Sequence, residues 1–341
     1  MPETSIYILS ASAVSPQSSF EAMLAAPQVY SGVRFACVEP DYAKYVDPKL
    51  IRRMSRIIKM GVAAASEALQ QASIDMPDAI ITGTAYGCLA DTDQFLSRMV
   101  EFKETLLSPT AFIQSTHNTV AAQIALMLKC HHYNNTYVHR GSSFEAALTD
   151  AASLLTSGEA GNVLVGAADE LTEHSFKILN RFGLYKKDGL SSSLIKSSTK
   201  GTMAGEGAAF FSIANEKKNA LAQLCAFKTG YKTIDATSFI DGFLDENDLN
   251  LSDIDLIITG QNGDISEEAH YQQLMASRFE DKKTAAYKQF CGEYPTSTAF
   301  AFWMAAHILK NGTYQDQPVK RILIYNNYLL QYPSLYCLSA C

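Results

Sequence analysis

The sequence predicts an α/β fold of alternating helix and sheet layers, built from two similar halves. Two observations carry this. Short β-rich runs alternate with helices of apolar period 3.6 along the chain. An internal echo also appears: Asp78-Ala-Ile-Ile-Thr-Gly83 returns as Asp255-Leu-Ile-Ile-Thr-Gly260. The order helix, glycine, strand over Ser142–Val165 returns over Thr296–Leu309, Gly312 and Arg321–Tyr325. Such a repeat reads as an ancient duplication. Buried helices between two sheets suit both halves.

Bulk properties narrow the class. The 341 residues suffice for one large or two small domains with a sizeable core. A composition 47% hydrophobic and 18% charged is that of a globular protein. A net charge of −7 argues against general nucleic-acid binding. Cysteines 37, 88, 130, 225, 291, 337 and 341 form no C-x-x-C pair, which suggests reduced thiols and a cytoplasmic address. No apolar run reaches the roughly 20 residues of a membrane helix. The basic run Lys49–Lys59 reads as the solvated face of a helix.

Element by element, Ile6–Leu9 is a first strand rather than a signal peptide, because no basic region precedes it. Leu50–Ala72 reads as one helix, with Ile51, Met54, Ile58, Val62, Ala65 and Leu69 on one face. Ala79–Thr82 is a buried strand ending at Gly83, and Asp91–Phe102 a helix. Thr116–Leu128 is an apolar helix entered from Pro109-Thr110. Asn162–Val165 is a strand ending at Gly166. Tyr185–Lys200, rich in Lys and Ser, reads as a surface loop. Gly201–Ile213 is a glycine-rich turn feeding a strand, and Thr237–Asp248 a polar helix or loop.

The chain is organised around Asn134–Leu155. A β-rich lead-in stops at Gly141, and Ser142, Phe144 and Glu145 open a helix. The S-x-x-E spacing of Ser142 and Glu145 predicts a capping box. Phe144, Ala147, Leu148, Ala151, Ala152 and Leu155 make a broad apolar face, closed by Gly158. Enzymes often place a nucleophile at such a turn, where the helix dipole favours an anion. Here the turn carries Gly141.

GSSFEAALTDAA resembles, in frame, the C-A-S-G-x-x-A-L-x-D-A-A nucleophile motif of β-ketoacyl synthases. Arg52-Arg53-Met54-Ser55 resembles the family's R-R-M-S segment. Pro109–Asn118 resembles its P-T-x-F-x-x-S-x-x-N segment, and Gly205-Glu-Gly-Ala208 its G-E-G-A turn. The resemblance spans nearly the whole chain. It implies a thiolase-like, five-layer fold of two pseudo-symmetric halves, here 1–215 and 216–341, forming one unit. It also implies an acyl-transfer chemistry of one cysteine and two histidines. The cysteine position holds Gly141. The first histidine's turn is Gly260-Gln-Asn-Gly-Asp264, with Gln261 at the catalytic place. The second histidine, of K-x-x-x-G-H, is Glu293 in Lys288-Gln-Phe-Cys-Gly-Glu293. The family's flexible G-F-G-G loop is Asn326–Tyr332, without glycine and with bulk to fill the site.

Losing all these parts while keeping the core is similar to chain-length factors, the non-catalytic partners of ketosynthases in type II polyketide and aryl-polyene-like systems. The resemblance therefore implies no catalytic residues, an active ketosynthase as dimer partner, and an acyl carrier protein as a further partner. It implies no cofactor, nucleic acid or membrane. Phe112, Ile113, Gln114, Thr116 and His117 would reach toward the partner's acyl tunnel. Glutamine at the cysteine position, which serves decarboxylation in many such factors, is absent, so that activity is not implied.

Two other readings stay open. Ser142 could replace the nucleophile, with His139 as base, making the chain an acyltransferase. The chain could also be a homodimeric acyl-binding protein. Cys130, His131, His132 and His139 are metal-ligand types, but their spacing matches no metal site.

Overall fold

The computed structural model describes residues 5–30, 32–105, 107, 109–188, 193–232 and 235–341. Strand β1 (Ile6–Val14) is followed by helices α1 (Phe20–Ala25), α2 (Pro48–Ile51) and α3 (Arg56–Ala72). Next come β2 (Ala79–Gly83), α4 (Leu89–Glu101), α5 (Pro109–Gln114), α6 (Thr119–Leu128) and β3 (Tyr133–Tyr137). Helix α7 (Ser143–Ser157), β4 (Asn162–Asp169), α8 (Glu173–Arg181) and β5 (Gly207–Ala214) follow. The remainder begins with β6 (Ala222–Thr229), α9 (Ala236–Glu246), β7 (Leu256–Thr259), α10 (Ile265–Ser277), β8 (Thr284–Ala286) and α11 (Lys288–Cys291). It ends with α12 (Thr298–Asn311), β9 (Thr313–Tyr314), β10 (Gln317–Pro318), β11 (Arg321–Tyr328) and β12 (Tyr332–Ser339).

Side chains alternate between the faces of a strand, and the two echoed segments use this identically. In β2, Ala79 and Ile81 face an inner core and Ile80 an outer one. In β7, Leu256 and Ile258 face the same inner core while Ile257 faces a second outer one. Strands buried on both faces read as continuous apolar runs, which is why AIIT and LIIT are so uniform. The ten-stranded order is β3-β2-β4-β5-β1-β6-β12-β11-β7-β8. Read outward from the β1–β6 pair, the first half runs 1-5-4-2-3, and the second half repeats that order once the separate β9–β10 pair is left out of its numbering. Ile6, Tyr7 and Ile8 of β1 pair with Leu224, Gln223 and Ala222 of β6, stitching the halves into one hydrogen-bonded sheet.

Helices α7 and α12 fill the space enclosed by both halves of this sheet. Phe144, Leu148 and Leu155 of α7 and Phe302, Met304 and Ile308 of α12 share the inner core with strands from each half. Helices α3 and α6 cover one outer face, and α9 and α10 the other. The result is helix, sheet, helix, sheet, helix. Helix α12 is apolar all round because it is buried nearly all round.

Several expectations need correction. Leu50–Ala72 is two helices, with Arg52–Ser55 between them and Ser55 extended at the start of α3. The basic run is therefore not one solvated face: Arg56 pairs with Glu39 at 2.6 Å and with the buried Glu206 at 2.5 Å. Strand β4 does not stop at Gly166 but continues to Asp169. Gly166 lies under the Phe210 ring, where a Cβ would meet Phe210 Cδ1 at 2.5 Å. The tract Tyr185–Lys200 is anchored at its start. Tyr185 and Lys186 are buried, and Lys186 Nζ donates to the Gly263 carbonyl at 2.9 Å; residues 189–192 of that tract lie outside the described residues. Among the described residues, no helix is long and apolar enough to cross a membrane.

Candidate functional site

The turn before α7 is built by Ser143, not Ser142. Ser143 Oγ accepts from the His139 N–H and donates to the Arg140 carbonyl, both at 2.8 Å. Arg140 takes φ 52°, a left-handed conformation that a side-chain-bearing residue adopts only under constraint. A short 3-10 turn, Arg140–Ser142, then enters α7. The expected capping box is absent: the Ser142 side chain makes no cap. Glu145 instead turns into the core, where its Oε1 accepts 2.8 Å from the Tyr336 hydroxyl. Burial raises the Glu145 pKa, and the wholly buried carboxyl keeps Oε2 without a partner.

Gly141 is buried, and its missing side chain is what the surroundings require. A Cβ there would lie 2.6 Å from Tyr328 Cδ1 and 3.0 Å from Tyr332 Cγ and Cδ2. Tyr328 and Tyr332 form the last cross-strand pair of β11 and β12. The turn between them places Leu329 and Leu330 at φ 54° and 52° and closes with the Gln331 N–H on the Tyr328 carbonyl at 3.1 Å. The two rings lie 6.1 Å apart, and Tyr231 packs on Tyr332 at 5.4 Å. The bulk in the segment without glycine therefore occupies the space over the turn.

The other two degenerate positions separate. Glu293 is buried beside Lys288, with Lys288 Nζ donating to Glu293 Oε2 at 2.8 Å. Asn262 Nδ2 reaches the same oxygen at 2.8 Å and Glu267 Oε2 at 3.1 Å. Burial and the nearby Glu293 raise Glu267 to about 7. Gln261 points elsewhere: its Oε1 accepts from Thr259 Oγ1 at 3.3 Å, and its Nε2 faces Glu268. The side chain that the turn after β7 sends to Glu293 is thus Asn262, one residue beyond the position read from sequence. No sequence signal singled out Asn262. Glu293 adds to the burial that raises the Tyr328 hydroxyl, so this acidic cluster and the tyrosines over Gly141 belong to one region.

Sequence reasoning also missed Asp169. It is wholly buried, accepting from Thr84 Oγ1 at 3.0 Å, the Ala85 N–H at 2.8 Å and Thr296 Oγ1 at 2.8 Å. It ties the end of β4 to the loop after β2 and to the entrance of α12. Its place at the end of the apolar run Val163–Ala168 was the only signal.

Ser142 lies outside this region. With His139, Tyr137, Ala146, Thr149, Asp150, Ser153 and Thr229 it lines an open groove of about 460 Å³. Ser142 and His139 meet through backbone, Ser142 N–H to His139 carbonyl at 3.1 Å. No described hydrogen bond joins their side chains, so the serine has no base positioned to activate it. No group of three metal-ligand side chains among the described residues could hold a metal ion.

The segment from Phe112 to His117 stands out on the surface. Phe112 is 56% and Ile113 63% exposed. Phe95 packs on Phe112 at 5.3 Å, and Leu96 and Val100 of α4 are exposed as well. Gln114 Nε2 donates to the Arg53 carbonyl. Thr116 Oγ1 donates to the Ile113 carbonyl at 3.1 Å, holding the turn. His117 is exposed on one side and leans on Gly87, where a Cβ would meet its Cδ2 at 2.9 Å.

A tight turn into a buried helix, a lysine five residues before a buried acid, and two sheet halves around paired helices form one frame. Residues 36–182 match the β-ketoacyl synthase N-terminal domain family. Over that stretch the chain is similar to a ketosynthase. A chain of the ishigamide ketosynthase/chain length factor structure superposes with TM-score 0.82 at 15% identity, covering 99% of both chains. A chain of the complex between a ketosynthase and its chain length factor from Xenorhabdus doucetiae gives 0.77 at 15%, covering 99% of this chain and 98% of that one. A chain of a type II polyketide ketosynthase complex with its acyl-carrier protein gives 0.74 at 16%, covering 99% of each. At such identity the likeness is one of fold, and the chain has the thiolase-like α/β architecture expected. No curated protein matches it in sequence.

Proposed function

We propose that this ketosynthase-like chain is a non-condensing partner of an active ketosynthase, of the chain-length-factor type, in carrier-protein-dependent polyketide or fatty-acyl biosynthesis in the cytoplasm. The observation that carries the reading is the space over Gly141. Tyr328 and Tyr332 stand where a nucleophile's Cβ would be, so the turn holds neither the thiol nor the room for one. Lys288, Asn262 and Glu293 are occupied with one another, leaving no histidine at the decarboxylating positions. The chain acts through its surface, as one unit of two halves, 1–215 and 216–341.

Two solved structures named above pair a ketosynthase with a chain length factor, and a third pairs a ketosynthase with its acyl-carrier protein. The exposed Phe112 and Ile113 with Leu96 and Val100 supply an apolar face suited to a partner. Thr116 and His117 add polarity beside it. The test is co-expression with candidate ketosynthases, followed by Phe112→Ala and His117→Ala. A stable heterodimer whose product length changes supports the role. A heterodimer with unchanged product removes the tunnel function, and a homodimer that binds no ketosynthase removes the partner function. Mass spectrometry after incubation with acyl carrier thioesters tests the remaining chemistry: an acyl group on Ser142 would overturn the non-catalytic reading.

A further inference from the structure

The register of β6 against β12 slips once. Cys337 pairs with Ala226 and Leu338 with Leu224, which leaves Cys225 as the extra residue of a β-bulge. Leu224 and Leu338 face the inner core, whereas Cys337 faces the outer one with Leu323 and Tyr325. Ser339 alternates with the inward-facing Leu338 and so shares the Cys337 face, and it is there that the Cys225 side chain reaches. There Cys225 Sγ lies 3.3 Å from Ser339 Oγ. Ser339 in turn pairs with Arg321 on β11. One thiol is exposed and the other buried: Cys225 opens to solvent and Cys337 does not.

This is the arrangement of an attacking thiol with its resolving partner. Cys225 is the chain neighbour of Ala226, the residue that faces Cys337, so the two thiols lie on adjacent strands one position apart. A hydrogen bond with Cys337 lowers the Cys225 pKa to about 6, helped by the Ser339 hydroxyl and the Arg321 guanidinium, against the opposing effect of burial. The same hydrogen bond, with burial, raises Cys337. The remaining exposed thiol, Cys341, is raised by burial and is the natural comparison.

We propose that Cys225 and Cys337 form a reversible redox site, in which Cys225 reacts with a hydroperoxide and Cys337 closes a cross-strand disulfide. The Cys225 thiolate attacks the peroxide oxygen. The O–O bond breaks, the alkoxide or hydroxide leaves with the electron pair, and a sulfenic acid forms on Cys225. The Cys337 sulfur, giving up its proton, then displaces the sulfenic hydroxyl, which leaves as water. Two thiols are oxidised by two electrons, and the hydroperoxide is reduced to an alcohol or water. A dithiol reductant reverses the step by exchange. This site is independent of the partner role.

The experiment treats the purified full chain with hydrogen peroxide and maps non-reduced peptides by mass spectrometry. The expected result is a loss of two mass units, with one cross-link joining the peptides of Cys225 and Cys337, reversed by dithiothreitol. Limiting iodoacetamide at pH 7 should label Cys225 about tenfold faster than Cys341. In Cys337→Ser, a sulfenic-acid trap should mark Cys225; in Cys225→Ser, no site should be trapped. A cross-link from Cys225 to Cys341, equal alkylation of Cys225 and Cys341, or peroxide consumption with Cys225 and Cys337 still reduced would each overturn the proposal. The wild-type peptide map and alkylation rates decide it even where a variant folds poorly.

Discussion

Lys288 Nζ and Glu293 Oε2 lie 2.8 Å apart with both side chains shut away from water. A buried ion pair draws its attraction from the same low dielectric that makes a lone charge costly. Lys288→Met would leave Glu293 facing Glu267 without its cation. It should destabilise the fold by about 3–5 kcal/mol. The double variant Lys288→Met/Glu293→Leu should cost less than Lys288→Met alone. Urea unfolding of the two variants beside wild type measures the difference.

Gly141→Cys should neither fit nor work. The added Cβ meets Tyr328 and Tyr332, and overpacking of this kind costs about 1–3 kcal/mol. Turnover of malonyl and acyl thioesters should stay at background, because no histidine accompanies the thiol. In a Tyr328→Ala background the cost of Gly141→Cys should shrink by more than about 0.5 kcal/mol, the mark of directly coupled sites. A double-mutant unfolding cycle checks the stability part, and carrier-thioester kinetics check the activity.

Stability should fall as pH rises through the weakly acidic range. Burial and Glu293 hold Glu267 protonated up to about 7 against an ordinary value of 4.5. Below pH 4.5 both folded and unfolded chains carry the proton. Between the two values the unfolded chain has released it while the folded chain still holds it, so raising the pH favours unfolding; above 7 the effect levels off. The full loss is about 3 kcal/mol. Burial raises Glu170 to about 7 as well, adding a slope of the same sign. Glu267→Gln should flatten the decline, and adding Glu170→Gln should flatten it further. Denaturant midpoints from pH 5 to 8 give the slopes.

Phe112→Asp and Ile113→Asp should leave the isolated fold within about 0.5 kcal/mol of wild type, since both side chains are already largely in water. Assembly with a ketosynthase should nevertheless be lost, because a desolvated charge would then face the partner. Size exclusion of co-expressed chains separates the two effects.

What was legible in the sequence follows from periodicity. The stripe of Phe144, Leu148, Ala151 and Leu155 faces the inner core as its spacing required, and the left-handed Gly158 closes α7. The echoed AIIT and LIIT strands occupy equivalent places in the two halves of the sheet. Misreadings came where a distant partner outweighed a local rule. Glu145 had the spacing of a cap, but the Tyr336 hydroxyl nearly two hundred residues later holds it in the core. Gly166 looked like a strand end, yet it is a clearance for Phe210. Asn262 took the place expected of Gln261 because the direction of a side chain in a turn depends on backbone angles that spacing does not reveal. The exposure of Phe112 and Ile113, and its extension to Leu96 and Val100, depends on how α4 and α5 meet, which spacing does not reveal.

The close approach over Gly141 also acts as an evolutionary ratchet. Any side chain at 141 is resisted while Tyr328 and Tyr332 stand there, and removing either ring first opens a hole in a packed region, at a cost of several kcal/mol. A lineage carrying this sequence would cross a valley in either order of substitution before it could place a thiol at the turn. The tyrosines hold position 141 to glycine, and the glycine makes room for the tyrosines.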